Sequence, residues 1–241
     1  MSPRIAVLIP CLNEERSIST VVRDFARALP GSAVYVYDNG STDRSVARAR
    51  EAGAITGAEF RPGKGHTVRR MFREVEADIY VLVDGDDTYD AGSAAAMVDL
   101  LRREQLAMVV GSRSAEIDHV WRPGHRAGNT LFTQAVSFLF GSRLTDVLSG
   151  YRVFSRCFVE SFEGSAEGFE LEVELTVHAL SRNLPVREVA TPYRSRKAGS
   201  QSKLNTWSDG IRILRLLARE YYARTGRTTS PATSVSRKSL P

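Results

Sequence analysis

The sequence predicts an α/β protein with a mixed, mainly parallel sheet flanked by helices, and three observations carry that reading. Short apolar runs rich in β-branched residues recur at 4–10, 33–37, 79–83 and 107–110. Segments with apolar residues at helical spacing lie between them. Each run ends in a polar turn before the next helix. Strand, polar turn and helix in repetition build βαβ units, hence parallel strands with right-handed crossovers.

Arg4-Ile5-Ala6-Val7-Leu8-Ile9-Pro10 is an apolar run closed by proline and reads as a buried strand. Ile18, Val21, Val22, Phe25 and Leu29 then share one helix face, and Pro30-Gly31 ends that helix. Ala33 to Tyr37 is a second strand, running into Asp38-Asn39-Gly40-Ser41-Thr42-Asp43 and a helix that continues to Gly53. Arg61-Pro62-Gly63-Lys64-Gly65-His66 places a lysine between glycines at the start of a helix reaching about Glu76. Glycines permit close backbone approach and a helix amino end favours an anion, although the spacing is not that of a Walker A loop.

Ile79 to Val83 reads as a fully buried strand that runs into Asp84-Gly85-Asp86-Asp87. Strand alternation would point Asp84 and Asp86 to one side, at the carboxyl edge where open α/β sheets bind ligands. Hard oxygen ligands so placed suit Mg²⁺ or Mn²⁺, ions that substrate phosphates commonly complete. An acidic turn capping the next helix is the plainer alternative. A helix follows from about Gly92 to Arg103, then a buried strand at Ala107 to Val110 ending in Gly111-Ser112-Arg113.

Beyond this point the periodicity changes. Residues 114–126 carry charge, Trp121, Pro123 and Gly124 without a period and read as a long loop. Residues 127–140 are apolar on more than one face and too short to span a bilayer, so they form either a core helix or an interfacial one. Asp146 to Phe154 reads as a turn into a strand, and Gly168 to Glu174 opens a helix in which the three glutamates cannot all face one site, leaving one solvated. Pro185 to Tyr193 reads as an edge strand, Arg194 to Lys203 as a basic loop and Trp207 to Ala223 as an amphipathic helix. The remaining Ser/Thr/Arg-rich stretch has the composition of disorder.

At 241 residues the chain suits one large α/β domain, and 42% apolar with 25% charged content is ordinary for a globular protein with a core. A net charge of +5 fits anionic partners without choosing among them. Cys11 and Cys157 match no metal or redox spacing and read as free thiols in a reducing compartment. No segment has the pattern of a signal peptide or the length of a membrane span, so a cytoplasmic protein, with possible peripheral attachment to an anionic membrane, is expected.

Seven stretches together resemble glycosyltransferase family 2 in order: Ile9-Pro10 with Asn13-Glu14, Asp38 to Asp43, Lys64-Gly65, Asp84-Gly85-Asp86, Gly111-Ser112-Arg113, Ser149 to Arg152 and Phe169 to Glu172. Within that family the chain is most similar to the dolichyl- or polyprenyl-phosphate sugar synthases, over about residues 4–205. The resemblance implies a GT-A fold, a nucleotide-sugar donor (UDP- or GDP-sugar), one divalent metal, Mg²⁺ or Mn²⁺, and inversion at the anomeric carbon. It implies a transferase domain at 1–205, which the residue pattern follows with an amphipathic helix at 206–223 and a disordered basic tail at 224–241.

Carried over by position, Pro10, Asn13, Glu14, Asp38, Asn39, Lys64, Asp84, Gly85, Asp86 and Lys203 would bind the nucleotide-sugar, with Asp84 and Asp86 on the metal. Arg113, Arg126 and Arg152 would meet the acceptor phosphate, and Asp86, Arg113, Arg152, Asp146 and Glu170 would carry catalysis. Three departures stand out. Asn39 replaces the usual second acid of Asp-Asp-Gly-Ser, Thr88 replaces a common glutamine, so that Asp87 or Asp90 is a candidate third ligand, and no carboxy-terminal membrane spans appear.

The acceptor decides the remaining chemistry. A lipid phosphate is already anionic and needs cations, whereas a sugar or alcohol hydroxyl needs a carboxylate base within hydrogen-bond reach. Arg113, Arg122, Arg126 and Arg152 favour the phosphate; Asp146, Glu170 and Glu172 keep the hydroxyl open. Nucleic acid is not among the expected partners. Glu14 can equally be a first-turn helix acid, Lys64 a solvated loop lysine and His178 a packed helix residue.

Overall fold

The computed structural model describes residues 3–114, 125–141, 143–168, 170–195 and 212–219, without the side chains of 114 and 125–127. The expected loop at 115–124, Lys203, most of the 207–223 helix and the 224–241 tail lie outside them, as does the Arg126 side chain.

Among the described residues, seven strands form one sheet in the order β3-β2-β1-β4-β6-β5-β7. One half holds β1 (Ile5–Cys11), β2 (Ala33–Asp38), β3 (Ile55–Ala58) at the edge and β4 (Ile79–Leu82), all parallel to one another. Beyond them, β6 (Arg152–Ser155) runs antiparallel between β4 and β5 (Met108–Ser114), and β7 (Val186–Pro192) closes the edge parallel to β5. The mixed, mainly parallel sheet is the one expected, and β7 is the edge strand expected at 185–193.

Alternation along β1 feeds two cores. Ala6 and Leu8 face one side, where α3 (Lys64–Glu74), α5 (His125–Phe140), α6 (Arg156–Ser161), α7 (Leu171–Ser181) and the helix α8 at 212–219 contribute Met71, Val136, Phe158, Val173 and Leu217. Val7 and Ile9 face the other, against α1 (Ile18–Ala28), α2 (Ser45–Glu51) and α4 (Ala94–Arg103) through Val21, Phe25, Ala49, Met97 and Leu101. Burial on both faces is why the β1 and β4 runs are continuous rather than alternating.

Two elements escape the periodicity. β3 is four residues long and its Ile55 is 52% exposed; so short and half-wet a strand leaves no apolar run. Gly57 lets it lie beside β2, because a Cβ there would fall 2.7 Å from the Tyr37 ring. The six-residue α6 is set by its amino-terminal cap, where Ser155 Oγ accepts from the Phe158 amide at 3.3 Å.

The register brings the functional segments to one rim. Leu82 and Val110 both pair with Arg152, so the carboxyl ends of β4 and β5 meet the amino end of β6. The carboxyl ends of β1 and β2 join the same rim through the pair Cys11–Asp38.

Candidate active site

The acids leave the sheet earlier than alternation implies. β4 ends at Leu82, and Asp87 adopts φ +62°, so a turn sets the two carboxylates rather than a strand. The expectation that strand pleat aims them together is corrected on that ground. Gly85 turns inward: a Cβ there would meet Ile18, Ile9 and Glu14 at 3.3–3.7 Å, and its carbonyl accepts from Ser17 Oγ at 2.8 Å. This packs the β4–α4 turn against the β1–α1 loop. The Asp84 side chain is 28% exposed and Asp86 only 3%. Asp86 Oδ1 accepts from the Thr88 hydroxyl at 2.6 Å and its amide at 3.2 Å. Asp90, one candidate third ligand, instead caps Ser93 and pairs with Arg194 at 3.0 Å.

Lys64 reaches this turn from the first residue of α3. Its ammonium lies 2.5 Å from Asp84 Oδ1 and 2.6 Å from Glu172 Oε1. Burial would push its pKa down, but the two carboxylates outweigh burial and hold it above the ordinary value. The solvated-loop alternative for Lys64 therefore fails. The flanking glycines serve the protein's own backbone rather than a ligand. A Cβ on Gly65 would fall 1.9 Å from the Ala166 carbonyl and one on Gly63 2.2 Å from that of Glu167, while the Gly65 amide donates to Glu167 O at 2.9 Å. Close packing on the 166–167 backbone is thereby reason enough for both glycines.

The β1–α1 and β2–α2 loops are stitched together. Asn13, at φ +51°, donates its amide to Ser41 Oγ at 2.8 Å and accepts from the Thr42 amide at 2.8 Å. The Glu14 amide donates to Ser45 Oγ at 2.7 Å, and Glu14 is 8% exposed beside Gly85. Asp38 accepts from the amides of Gly40 and Ser41 at 3.1 Å. Asn39 donates to the carbonyls of Glu59 and Arg61 at 2.9 and 2.8 Å and accepts from the Gly63 amide at 2.7 Å. It spends its amide on the 59–63 segment instead of facing a base. A carboxylate could not make those two donations, which gives the departure from the acidic motif a physical reason.

Arg113 and Asp146 form a two-pronged pair, Nε to Oδ2 at 2.7 Å and an Nη to Oδ1 at 2.6 Å, with the guanidinium 5.6 Å from the Tyr193 ring centre. Gly150 lies against Asp84, since a Cβ there would be 2.5 Å from Oδ2, and its amide donates to the Tyr89 hydroxyl at 2.8 Å. Tyr89 packs on Tyr193 and Tyr151, and burial raises its pKa far above the ordinary value. Tyr89 and Tyr193 were invisible as site residues, because a lone tyrosine in a polar turn or at a strand end carries no spacing that points to a site.

Arg152 does not join the site. It is fully buried, with its fork on Ser149 O, Val147 O and Thr176 Oγ1 at 2.8–2.9 Å, so a phosphate has no access to it. The three glutamates of α7 also differ from expectation, because none is solvated: all are at most 6% exposed. Glu170 accepts from the amides of Glu167 and Gly168 at 2.8 and 3.1 Å, and Glu174 from those of Ser165 and Ala166 at 2.7 and 2.9 Å. Glu172 belongs to Lys64. His178 packs edge-on against Phe158 and Phe162, as a core histidine would.

A family model described as glycosyl transferase family 2 matches residues 6–162. The chain is 34% identical over 212 residues to the glycosyltransferase AglJ of Haloferax volcanii, covering 86% of this chain and 68% of that one. A dolichyl-phosphate hexose transferase of the same organism is 30% identical over 209 residues, 87% of this chain and 90% of that protein. Protein RfbJ of Shigella flexneri is 50% identical over 123 residues, 51% of this chain and 95% of RfbJ. In fold, the chain is similar to Mycobacterium tuberculosis glucosyl-3-phosphoglycerate synthase in complex with phosphoglyceric acid, with a TM-score of 0.75 at 23% identity, over 93% of this chain and 81% of that one. With its rim of acids at the carboxyl edge of a GT-A sheet, the chain belongs to glycosyl transferase family 2 and is a nucleotide-sugar-dependent glycosyltransferase.

Proposed function

We propose that the protein transfers a hexose from a UDP- or GDP-sugar to a polyprenyl phosphate, with inversion at the anomeric carbon. The supporting observation is that each of the three carboxylates considered as a base already holds a partner inside the protein, Glu170 and Glu172 through one oxygen each. Asp146 is held on both oxygens by Arg113, Glu170 caps a loop with backbone donors, and Glu172 holds Lys64. A hydroxyl acceptor needs a carboxylate to take its proton; a phosphate arrives as an anion and needs none. The likeness to a dolichyl-phosphate hexose transferase supports the same acceptor.

Asp84 and Asp86 would hold the divalent cation. Among the described residues no third His, Cys, Asp or Glu joins them. That sparse oxygen set suits Mg²⁺ or Mn²⁺, which keep waters and take substrate phosphates, better than a cage-forming ion. Solved M. tuberculosis glucosyl-3-phosphoglycerate synthase contains Mn²⁺ and UDP, which supports the same assignment. Once bound, the ion supplies Lewis-acid stabilisation of the leaving diphosphate. Lys64 adds a buried positive charge beside Asp84, and Arg113 a guanidinium held in one orientation by Asp146 for the incoming phosphate. Asn13, Glu14 and Asp38 shape the nucleoside side of the crevice. The domain is proposed to end near residue 205.

Exposed apolar residues support a peripheral site of action. Phe138 is 89% exposed and Leu131 61%, seven residues apart on α5 and so on the same side. No helix among the described residues is long and apolar enough to cross a membrane.

Incubation with Mn²⁺, a panel of UDP- and GDP-sugars and a short polyprenyl phosphate should give a sugar-linked lipid by chromatography. The Asp86→Ala variant should retain its fold and lose activity by about 10²-fold or more. A glycosylated hydroxyl compound with no lipid product from any donor would overturn the acceptor, and full activity of Asp86→Ala would overturn the metal assignment. In flotation with anionic vesicles, a chain that stays at the bottom of the gradient would remove the peripheral reading.

A further inference from the structure

Glu172 is the buried acid that the transfer chemistry leaves without a task. It enters from the first turn of α7, far along the chain, yet shares the Lys64 ammonium with Asp84 at 2.6 and 2.5 Å. It is 3% exposed, and its second oxygen, Oε2, is buried without a hydrogen-bond partner. A buried carboxylate in that condition costs stability, and a core apolar residue would cost less. Burial raises the Glu172 pKa above the ordinary carboxylate value, and Lys64 opposes that rise.

The geometry bears on how a divalent cation can enter. One ammonium between two carboxylates leaves a net charge of about −1, which attracts a cation. Lys64 cannot keep its place on the same Asp84 oxygen once a doubly charged ion binds there. A second seat already exists on Glu172, so a slight tilt of the lysine, with no rebuilding, frees Asp84. Resting on the metal reading above, we infer that Glu172 is a positioning residue that acts through Lys64, receiving its ammonium when the divalent cation takes Asp84 and holding it beside the diphosphate.

The inference predicts opposite signs for two substitutions. Binding of Mn²⁺ alone to the full chain is measured by calorimetry or electron spin resonance. Lys64→Met removes the competitor and should tighten Mn²⁺ binding by about tenfold. Glu172→Gln removes the second carboxylate that holds the Lys64 ammonium and should weaken Mn²⁺ binding by about tenfold. In the double variant no lysine remains to be received, so its affinity should match Lys64→Met. Glu172→Asp, with a shorter carboxylate, gives an intermediate weakening and serves if Glu172→Gln does not fold. Unchanged Mn²⁺ affinity in the folded Glu172 variant, or a double variant that follows Glu172→Gln, would overturn the inference while the metal site stands. Absence of Mn²⁺ binding by the wild-type chain, with or without UDP, would instead overturn the metal reading itself.

Discussion

Above β1, β2 and β3 the loops of the rim are tied mainly by hydrogen bonds to backbone amides and carbonyls, from Asn13, Asn39, Asp38, Glu15 and Asp43, whereas above β4, β5 and β6 buried ion pairs join the ties. On the first side Asn13 binds Ser41 and Thr42, Asn39 binds 59–63, and even the Asp38 carboxylate is spent on backbone amides. On the second, Lys64 bridges Asp84 and Glu172, and Arg113 grips Asp146. Ties to the backbone fix shape, which suits the side proposed for the nucleoside. Ion pairs under low solvent exposure carry field at a desolvation cost, which fits the side proposed for the diphosphate. The boundary between the two runs along β4, where the acids stand.

The largest stability effect should come from the charged side, at Arg152. Its guanidinium fills a closed position between β6, α7 and the 147–149 turn. Burial lowers its pKa to about 10, so it stays cationic at neutral pH. Arg152→Ala would open a cavity and strand two carbonyls, a loss on the order of 3 kcal/mol. Denaturant unfolding measures this. A variant as stable as wild type, with transfer alone impaired, would return Arg152 to the phosphate role.

On the side tied to the backbone, Asn39→Asp restores the acid common in the family and should still be harmful here. A carboxylate would face the carbonyls of Glu59 and Arg61 with nothing to donate. The expected cost is about 1–2 kcal/mol, with faster amide exchange confined to 59–63. Unaltered exchange in that segment would mean that Asn39 is not its clasp and remains available to a nucleobase.

These positions also mark what the amino-acid sequence discloses. The βαβ order, the buried runs and the edge strand follow from periodicity, and the turn after β4 was recognisable because acids at a strand end are chemically conspicuous. The antiparallel insertion of β6 was not recoverable, because Arg152 to Ser155 is too short to declare its direction. Buried charge was the harder matter. Glu172 and Arg152 carry charged side chains into the interior, against the usual preference, and only the partner reveals why. The partner of Glu172 is 108 residues away. The glycines around Lys64 were misread for a related reason: a close approach is legible, but not what approaches.

The smallest effect concerns His178, which lies away from the rim and tests whether charge is excluded there. Its pKa is lowered to about 4, mainly by burial and secondarily by Arg182. Arg182 donates to Nδ1 at 2.8 Å, and the hydroxyl of Ser161 lies 3.1 Å from Nε2. Nδ1 must therefore be the unprotonated nitrogen, and a second proton would set two donors against each other. Because the folded pKa lies below the unfolded value of about 6.5, the neutral ring contributes stability that is fully present above that pH. The contribution is lost as pH falls through the interval from about 6.5 to about 4. Carboxylates titrate in the same interval, so the informative quantity is a difference. His178→Gln keeps one donor and one acceptor but does not titrate, and should lose less stability than wild type between pH 7.5 and 5. Parallel pH profiles for the two proteins would show that the imidazole is protonated in the fold, and that α7 tolerates charge at its carboxyl end as well as near the rim.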